Sequence, residues 1–183
     1  MGPAGILGPM DSVTALAVAA RDGDQRALEA FVRETQADVW RVCRYLGDSW
    51  NADDLAQETY ARALRSLHRF RQDGSARAWL LTIARRTCAD ATRRAIRRRR
   101  LIEKERASAA ELTTDDQWVE VEAVLNGISP ERREAFLLTQ LVGLSYEEAA
   151  GVVGCPVGTI RSRVARARED LMANIGDEIA ETG

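Results

Sequence analysis

The chain has 183 residues, with 26 Lys and Arg against 28 Asp and Glu and a formal net charge of −2. That length holds one or two small domains, and the near balance of charge excludes a uniformly basic, histone-like protein. Hydrophobic residues at 45% and charged ones at 30% exclude a wholly disordered chain, and no apolar run approaches the ~18 residues that cross a bilayer.

Residues 1–10, MGPAGILGPM, carry three Gly and two Pro and read as a tag or disordered tail, with Met10 as a possible natural start. No basic stretch precedes their short apolar run, so a signal peptide is not expected and the cytoplasm is the default. Helical punctuation dominates the rest of the chain, and no hairpin dipeptide sits between alternating apolar runs. The expected class is all-α.

A first domain is read over 11–97. Ala27, Leu28, Phe31 and Val32 recur at helical spacing, followed by Val39, Trp40, Val42, Cys43 and Leu46. Asn51 is placed to cap the next helix, with Asp53 and Asp54 in its first turn, where carboxylates favour the positive end of the dipole. The buried stripe of that helix is expected to be Ala56, Tyr60, Ala63, Leu64 and Leu67. Asp73-Gly74-Ser75 then reads as a turn and N-cap before Trp79, Leu80, Ile83 and Ala84. Three or four helices packed around these side chains would make a compact bundle.

From Ala95 the apolar pattern dissolves, and 98–117 reads as a flexible linker with a frayed helical start. A second domain is expected over 118–176, and 177–183 as a tail. Three start signals punctuate the second domain: Ser129-Pro130, with Pro at the first helical position; Ser145 with Glu148, a capping box; and Cys155-Pro156 before the last long helix. Within it, Ser145 to Leu171 reads as a helix-turn-helix. Gly154 supplies a left-handed turn residue, and Ala150 is small enough for two crossing helices to approach. Ile160, Val164, Ala167 and Leu171 form the buried stripe of the second helix. Its opposite face carries Arg161, Ser162, Ala165 and Arg166, two guanidiniums and a hydroxyl near the front of a helix that fits a major groove.

Charge is clustered. Residues 85–106 carry +7 and residues 157–168 carry +4, which leaves −13 for the remainder. Two basic islands on an acidic background suit local binding of a polyanion. Arg85, Arg86, Arg93, Arg94 and Arg97 fall on more than one face of a helix, so no single internal partner accounts for them. The preceding loop holds Phe70 with Arg71 and Arg77, an aromatic among cations that suits an unstacked base; a core position for Phe70 is the equal alternative. Asp53, Asp54, Gln57 and Glu58 crowd one exposed side of their helix. With no nucleophile or phosphate loop nearby, they read as a patch for a basic protein partner and not as a catalytic pair. Cys43, Cys88 and Cys155 include no CxxC and the only histidine is His68, so neither a zinc site nor a disulfide framework is expected. The thiols read as small buried hydrophobes.

ADDLAQETYARAL, RAWLLTIARR and SYEEAAGVVGCPVGTIRSRVARAREDL resemble regions 2.2, 2.3–2.4 and 4.2 of the extracytoplasmic-function (group IV) RNA polymerase sigma factors. The resemblance runs from Asp11 to Ile175, and FLLTQLVGLSY with CPVGTIRSRVARAR is most like the actinobacterial SigC-type branch. It implies that Asp53, Asp54, Gln57, Glu58 and Arg62 dock on the clamp helices of the polymerase β′ subunit, with the β flap as a second polymerase contact. It implies that Phe70, Arg71, Arg77, Arg85, Arg86 and Arg93 read and melt the −10 element, and that Arg161, Ser162, Ala165 and Arg166 read the −35 element. Many members carry Asn where Arg86 stands and some a bulky residue where Ala165 stands.

The resulting expectation is a sigma-type transcription initiation factor. It is not an enzyme, needs no metal or cofactor, is a monomer when free, has no membrane span, and has core polymerase, promoter DNA and an anti-sigma factor as partners. Its rivals are a free-standing helix-turn-helix regulator with a sensing N-terminal bundle and a module that binds only proteins. A compact free state is also expected, in which Arg161, Arg163 and Arg166 meet first-domain acids such as Asp22, Asp24, Glu29 and Asp54 across a linker that keeps the domains near millimolar effective concentration.

Overall fold

The structure is a computed structural model that describes residues 11–47, 51–103, 125 and 127–181. Helix α1 (Ser12–Arg21) starts where the Asp11 carboxylate accepts the Thr14 amide at 2.9 Å and the Thr14 hydroxyl at 2.6 Å. Asp24 caps α2 (Gln25–Leu46) in the same way, accepting the amides of Arg26 and Ala27. Between them Gly23 turns the chain at φ +105°, a conformation that costs glycine nothing. Helix α3 (Ala52–Ser66) runs through one 3-10 turn (Leu67–Arg69) into the loop before α4 (Ala76–Glu103). These four helices bury Ala17, Phe31, Val39, Val42, Leu55, Ala63, Leu67, Leu80, Leu81 and Ala84.

Several expectations shift here. Asn51 makes no side-chain cap bond. The inward face of α3 is Ala52, Leu55, Thr59 and Ala63, whereas Ala56 and Tyr60 lie at its margin and Leu64 is 44% exposed. Burying Leu55 rotates the stripe by about one residue, and Thr59 tolerates the core because its hydroxyl donates to the Leu55 carbonyl at 2.7 Å. Tyr60 still hydrogen-bonds Thr35 at 2.8 Å. Burial, with the nearby Asp38 charge, pushes its phenol up to about 12 against that bond. Helix α4 continues six residues past the expected domain end at 97, to Glu103. The rest of the expected linker and the expected start of the second domain at Trp118 lie outside the described residues.

In the second domain, α5 (Pro130–Phe136) passes into a π turn (Leu137–Leu141), in which the Val142 amide reaches back to the Leu137 carbonyl at 3.0 Å. Pro130 takes the first helical position as expected, but the Ser129 side chain makes no cap bond. Helix α6 (Tyr146–Val153) opens on the complete capping box: Glu148 N–H donates to Ser145 Oγ at 3.1 Å, and Ser145 N–H to Glu148 Oε2 at 2.9 Å. Gly154 follows at φ +79°, and α7 (Val157–Glu181) completes the helix-turn-helix. Ile160, Val164 and Ala167 are buried, with Leu171 half-buried at the end of the stripe. Arg132 grips Asp170 with bonds of 2.9 and 2.8 Å, tying α5 to α7.

The two domains pack on each other. Helix α6 lies against α4 and the π turn against α2, and one apolar cluster runs from Phe31, Leu80 and Leu81 through Leu137, Leu138 and Val152. The arrangement is compact, as charge suggested, but the contacts are different. First-domain donors meet second-domain acceptors: Arg85 with Glu134, Arg77 with the Val142 carbonyl, and Ser75 with Glu148. Arg161 and Arg166 are exposed, Arg163 is half-buried, and none of the three forms an ion pair among the described residues. The stripe that packs α7 on its own domain turns these arginines away from α4.

Candidate nucleic-acid interface

The exposed side of α3 holds Asp53, Asp54 and Gln57, with Glu58 half-buried beside them. Asp53 accepts the Trp40 indole N–H at 3.1 Å, while Asp54 and Gln57 have no side-chain partner among the described residues. Arg62 is not part of an open patch. It donates to Glu58 at 2.7 Å and to Asp90 at 2.8 Å, and Arg93 closes on the same Asp90 at 2.5 Å. This chain of charges joins α3 to α4. Bonds from Arg62 hold both the Glu58 and Asp90 carboxyls below their ordinary range. Leu64 adds an exposed apolar residue at the 54–57–61–64 spacing, in line with Asp54, Gln57 and Ala61. Sequence reading missed it because a lone leucine at helical spacing reads as core.

The loop and α4 supply the second surface. Ser75 accepts the Ala78 amide at 3.1 Å and so caps α4, just after Gln72 bends the loop at φ +59°. Phe70 is 4% exposed, with its ring centroid 5.3 Å from that of Trp79. The ring is thus buried in this arrangement, tilted at 48° against Trp79, and is not presented to solvent. Its carbonyl accepts Arg21 Nη1 at 3.1 Å. Arg71 and Arg86 are exposed and unpaired among the described residues. Arg77 is held between Asp38, at 2.8 Å from Nε, and the Val142 carbonyl, at 2.7 Å from Nη2. Arg85 clasps both oxygens of Glu134, at 2.5 and 3.3 Å. A cleft of about 450 Å³ lies between the loop and α6, bounded by Phe70, Ser75 and Trp79 on one side and by Glu147, Glu148 and Val152 on the other. Burial opposes ionisation of Glu148, but bonds from Ser75 and from the Ser145 backbone and hydroxyl outweigh it, so its carboxyl titrates below the ordinary glutamate value.

The third surface is the outer face of α7. Arg161, Ser162, Ala165 and Arg166 all stand exposed on one side, opposite Ile160, Val164 and Ala167. Ser162 Oγ donates to the Thr159 carbonyl at 3.0 Å, and Arg168 donates to Gln140 at 2.6 Å. The arrangement presents two guanidiniums and a methyl group on one exposed helix face. Arg can bridge guanine O6 and N7, and a methyl contacts the thymine methyl.

Cys43 and Cys88 are buried and free; contact with Cys43 and burial together push the Cys88 thiol up. No group of His, Cys, Asp and Glu among the described residues could hold a metal ion. No helix there is long and apolar enough to cross a membrane.

Residues 31–100 match the family described as Sigma-70 region 2, and residues 118–171 match Sigma-70, region 4. The chain belongs to the sigma-70 family and is a transcription initiation factor of the extracytoplasmic-function type. It is 49% identical to the ECF RNA polymerase sigma factor SigC of Mycobacterium tuberculosis over 173 residues, 90% of this chain and 91% of that one. It is 34% identical to SigE of Mycolicibacterium smegmatis, over 95% of this chain and 72% of the relative. Among solved structures it resembles CnrH in complex with the cytosolic domain of CnrY, with a TM-score of 0.73 and 29% identity over 91% of this chain and 99% of that one. It also resembles RpoE in complex with the anti-sigma factor NepR from Bartonella quintana, with a TM-score of 0.72 and 26% identity over 82% and 98% of the two chains.

Proposed function

We propose that the three surfaces divide the work of initiation: Asp53, Asp54, Gln57 and Glu58, extended by Leu64, dock on core polymerase; Arg71, Arg77, Arg85 and Arg86 hold the −10 strand; and Arg161, Ser162, Ala165 and Arg166 read the −35 duplex. The first domain (11–103) recruits polymerase and opens DNA, and the second selects the upstream element. Phe70 and Arg62 serve these surfaces from behind, Phe70 as the anchor of the reading loop and Arg62 with Asp90 and Arg93 as the brace between α3 and α4. The observation that carries the reading is the α7 face: two arginines without an ion-pair partner among the described residues, a serine and an alanine stand opposite the buried Ile160, Val164 and Ala167, directly after a capping box and a left-handed glycine. Phosphate contacts supply affinity, base contacts supply choice, and protein contacts supply recruitment; none of this calls for catalysis, a cofactor or a metal.

Two solved relatives are complexes, one with the cytosolic domain of CnrY and one with the anti-sigma factor NepR, and an anti-sigma partner is proposed for this chain on that likeness. A cytoplasmic, monomeric free form fits the same role. The test is in vitro transcription by core polymerase with and without this protein over a genomic promoter library. New start sites sharing upstream and downstream elements are expected; no new start site would refute the assignment.

A further inference from the structure

Two thiols of the first domain take no part in the three surfaces. Cys43 on α2 and Cys88 on α4 are both buried and free, and they are hydrogen-bonded to each other. The Cys88 sulfur also lies 4.0 Å from the carbonyl oxygen of Val42, the residue before Cys43. A Cβ added at Gly47, one turn further along, would stand 3.4 Å from the same sulfur and 2.5 Å from a Leu55 methyl. The two sulfurs therefore meet over one turn of α2, and glycine at 47 lets α4 come that close. Contact with Cys88, helped by the Thr59 hydroxyl at 3.9 Å, draws the Cys43 thiol below its ordinary value against its burial. The thiolate is the form that reacts with oxidants. Nor is the pair sealed from small molecules. Cys88 lines a cleft of about 250 Å³ between α4 and α5, together with Leu46, Arg85 and Glu134, several times the ~30 Å³ share of one water.

We propose that Cys43 and Cys88 are a redox pair, which hydrogen peroxide closes into a reversible disulfide tying α2 to α4. The deprotonated sulfur of the pair attacks one peroxide oxygen. The O–O bond breaks, and the hydroxide released takes up the proton that sulfur had shed, leaving water and a sulfenic acid. The other thiol then attacks the oxidised sulfur, so that the S–S bond forms and the S–O bond breaks. The departing hydroxide takes that thiol's proton as a second water. The two thiols lose two electrons and the peroxide gains them. In a reducing compartment such a bond is transient and reports oxidation. The covalent loop from 43 to 88 contains α3, the loop before α4 and the first half of α4. It therefore holds the docking acids and Arg71, Arg77 and Arg85 in one cross-linked unit, while both sulfurs stay inside the core and use up no exposed residue of either face. The pair is a lock against unfolding during oxidation and not an off switch. Only the role of the faces inside the loop rests on the sigma-factor reading; the bond itself does not.

The experiment treats the full chain with hydrogen peroxide, raised until Cys155, the half-exposed thiol, is oxidised. Catalase then removes the peroxide, free thiols are alkylated, and peptides are mapped by mass spectrometry. Wild type should yield a Cys43–Cys88 cross-link that dithiothreitol reverses, and Cys88→Ala should yield none. The thermal midpoint of the oxidised wild type should rise by about 5–15 °C, because the cross-link restricts the unfolded chain, with no such rise in Cys88→Ala. Core polymerase added after the peroxide is gone should transcribe equally with oxidised and reduced wild type. Absence of the cross-link while Cys155 is oxidised, or a link made through Cys155 instead, overturns the pair. A cross-link that leaves the midpoint unchanged or lower overturns the lock, as does transcription lost on oxidation and restored by dithiothreitol. Transcription with neither form refutes the sigma-factor reading, while the peptide map and the midpoint still decide the bond.

Discussion

Two glycines three residues apart in the helix-turn-helix should respond oppositely to the same substitution. Gly151 lies inside α6 with helical backbone, and a Cβ built on it meets nothing within 4 Å. Gly151→Ala therefore gains helix propensity without a clash and should stabilise the chain by about 0.5–1 kcal/mol. Gly154 also has open space where a Cβ would stand, but its φ is +79°. An L side chain there costs roughly 1–2 kcal/mol of local strain, offset by about 0.4–1 kcal/mol from the smaller entropy of the unfolded chain. Gly154→Ala should thus destabilise by a net ~0–1.6 kcal/mol, centred near ~0.8. Gly154→Asn should recover most of this, because Asn tolerates the left-handed region. Thermal unfolding of the three variants measures the difference, with each kcal/mol moving the midpoint by a few degrees. If Gly154→Ala stabilises, or if Asn is no better than Ala at 154, the left-handed turn is not what sets the angle between α6 and α7.

Asp54→Lys and Leu64→Ser should each weaken co-elution with core polymerase while leaving helicity intact, since both side chains are exposed on α3; undiminished co-elution of both would remove α3 as the docking surface. Arg161→Ala or Arg166→Ala should cost ~1–3 kcal/mol of discrimination at one −35 position, whereas Arg98→Ala should weaken binding evenly across sequences and flatten its salt dependence; identical sequence profiles would refute that division. The compact form should persist at high salt in scattering, because an apolar cluster continues across the domains and only its polar contacts are screened; a fully extended ensemble in ~1 M salt contradicts this. The Glu148 carboxyl titrates below its ordinary 4.5, so its contribution to closure is complete above that value and is lost as pH falls through the lower folded-state value. Interdomain energy transfer should fall over that acid range in the wild type, and this component should be absent in Glu148→Gln.

The sequence alone determined much that depends on local spacing, although the caps read at Asn51 and Ser129 form no side-chain bond. Capping by Ser145 and Glu148, the left-handed Gly154, the stripe Ile160–Val164–Ala167 and the outward Arg161, Ser162, Ala165 and Arg166 each follow from residues within one or two turns of one another. The acidic start of α3 and the cap at Ser75 were legible for the same reason. Tertiary structure decided whatever depended on which of two adjacent stripes finds a partner. On α3 the expected Ala63 and Leu67 are buried, but Leu55 and Thr59 take the inward places read for Ala56, Tyr60 and Leu64, because α2 and α4 together close over them and Thr59 can satisfy its own hydroxyl along the helix. It decided the fate of the cations in the same way. Arg62, Arg77, Arg85, Arg161 and Arg166 are indistinguishable as letters, yet the first three are held by Asp90, Asp38 and Glu134, from 28, 39 and 49 residues away, and the last two by none of the described residues. A guanidinium stands open in the free chain only where the fold has left it without a carboxylate, and a carboxylate that distant in sequence is brought within reach only by the packing of whole helices.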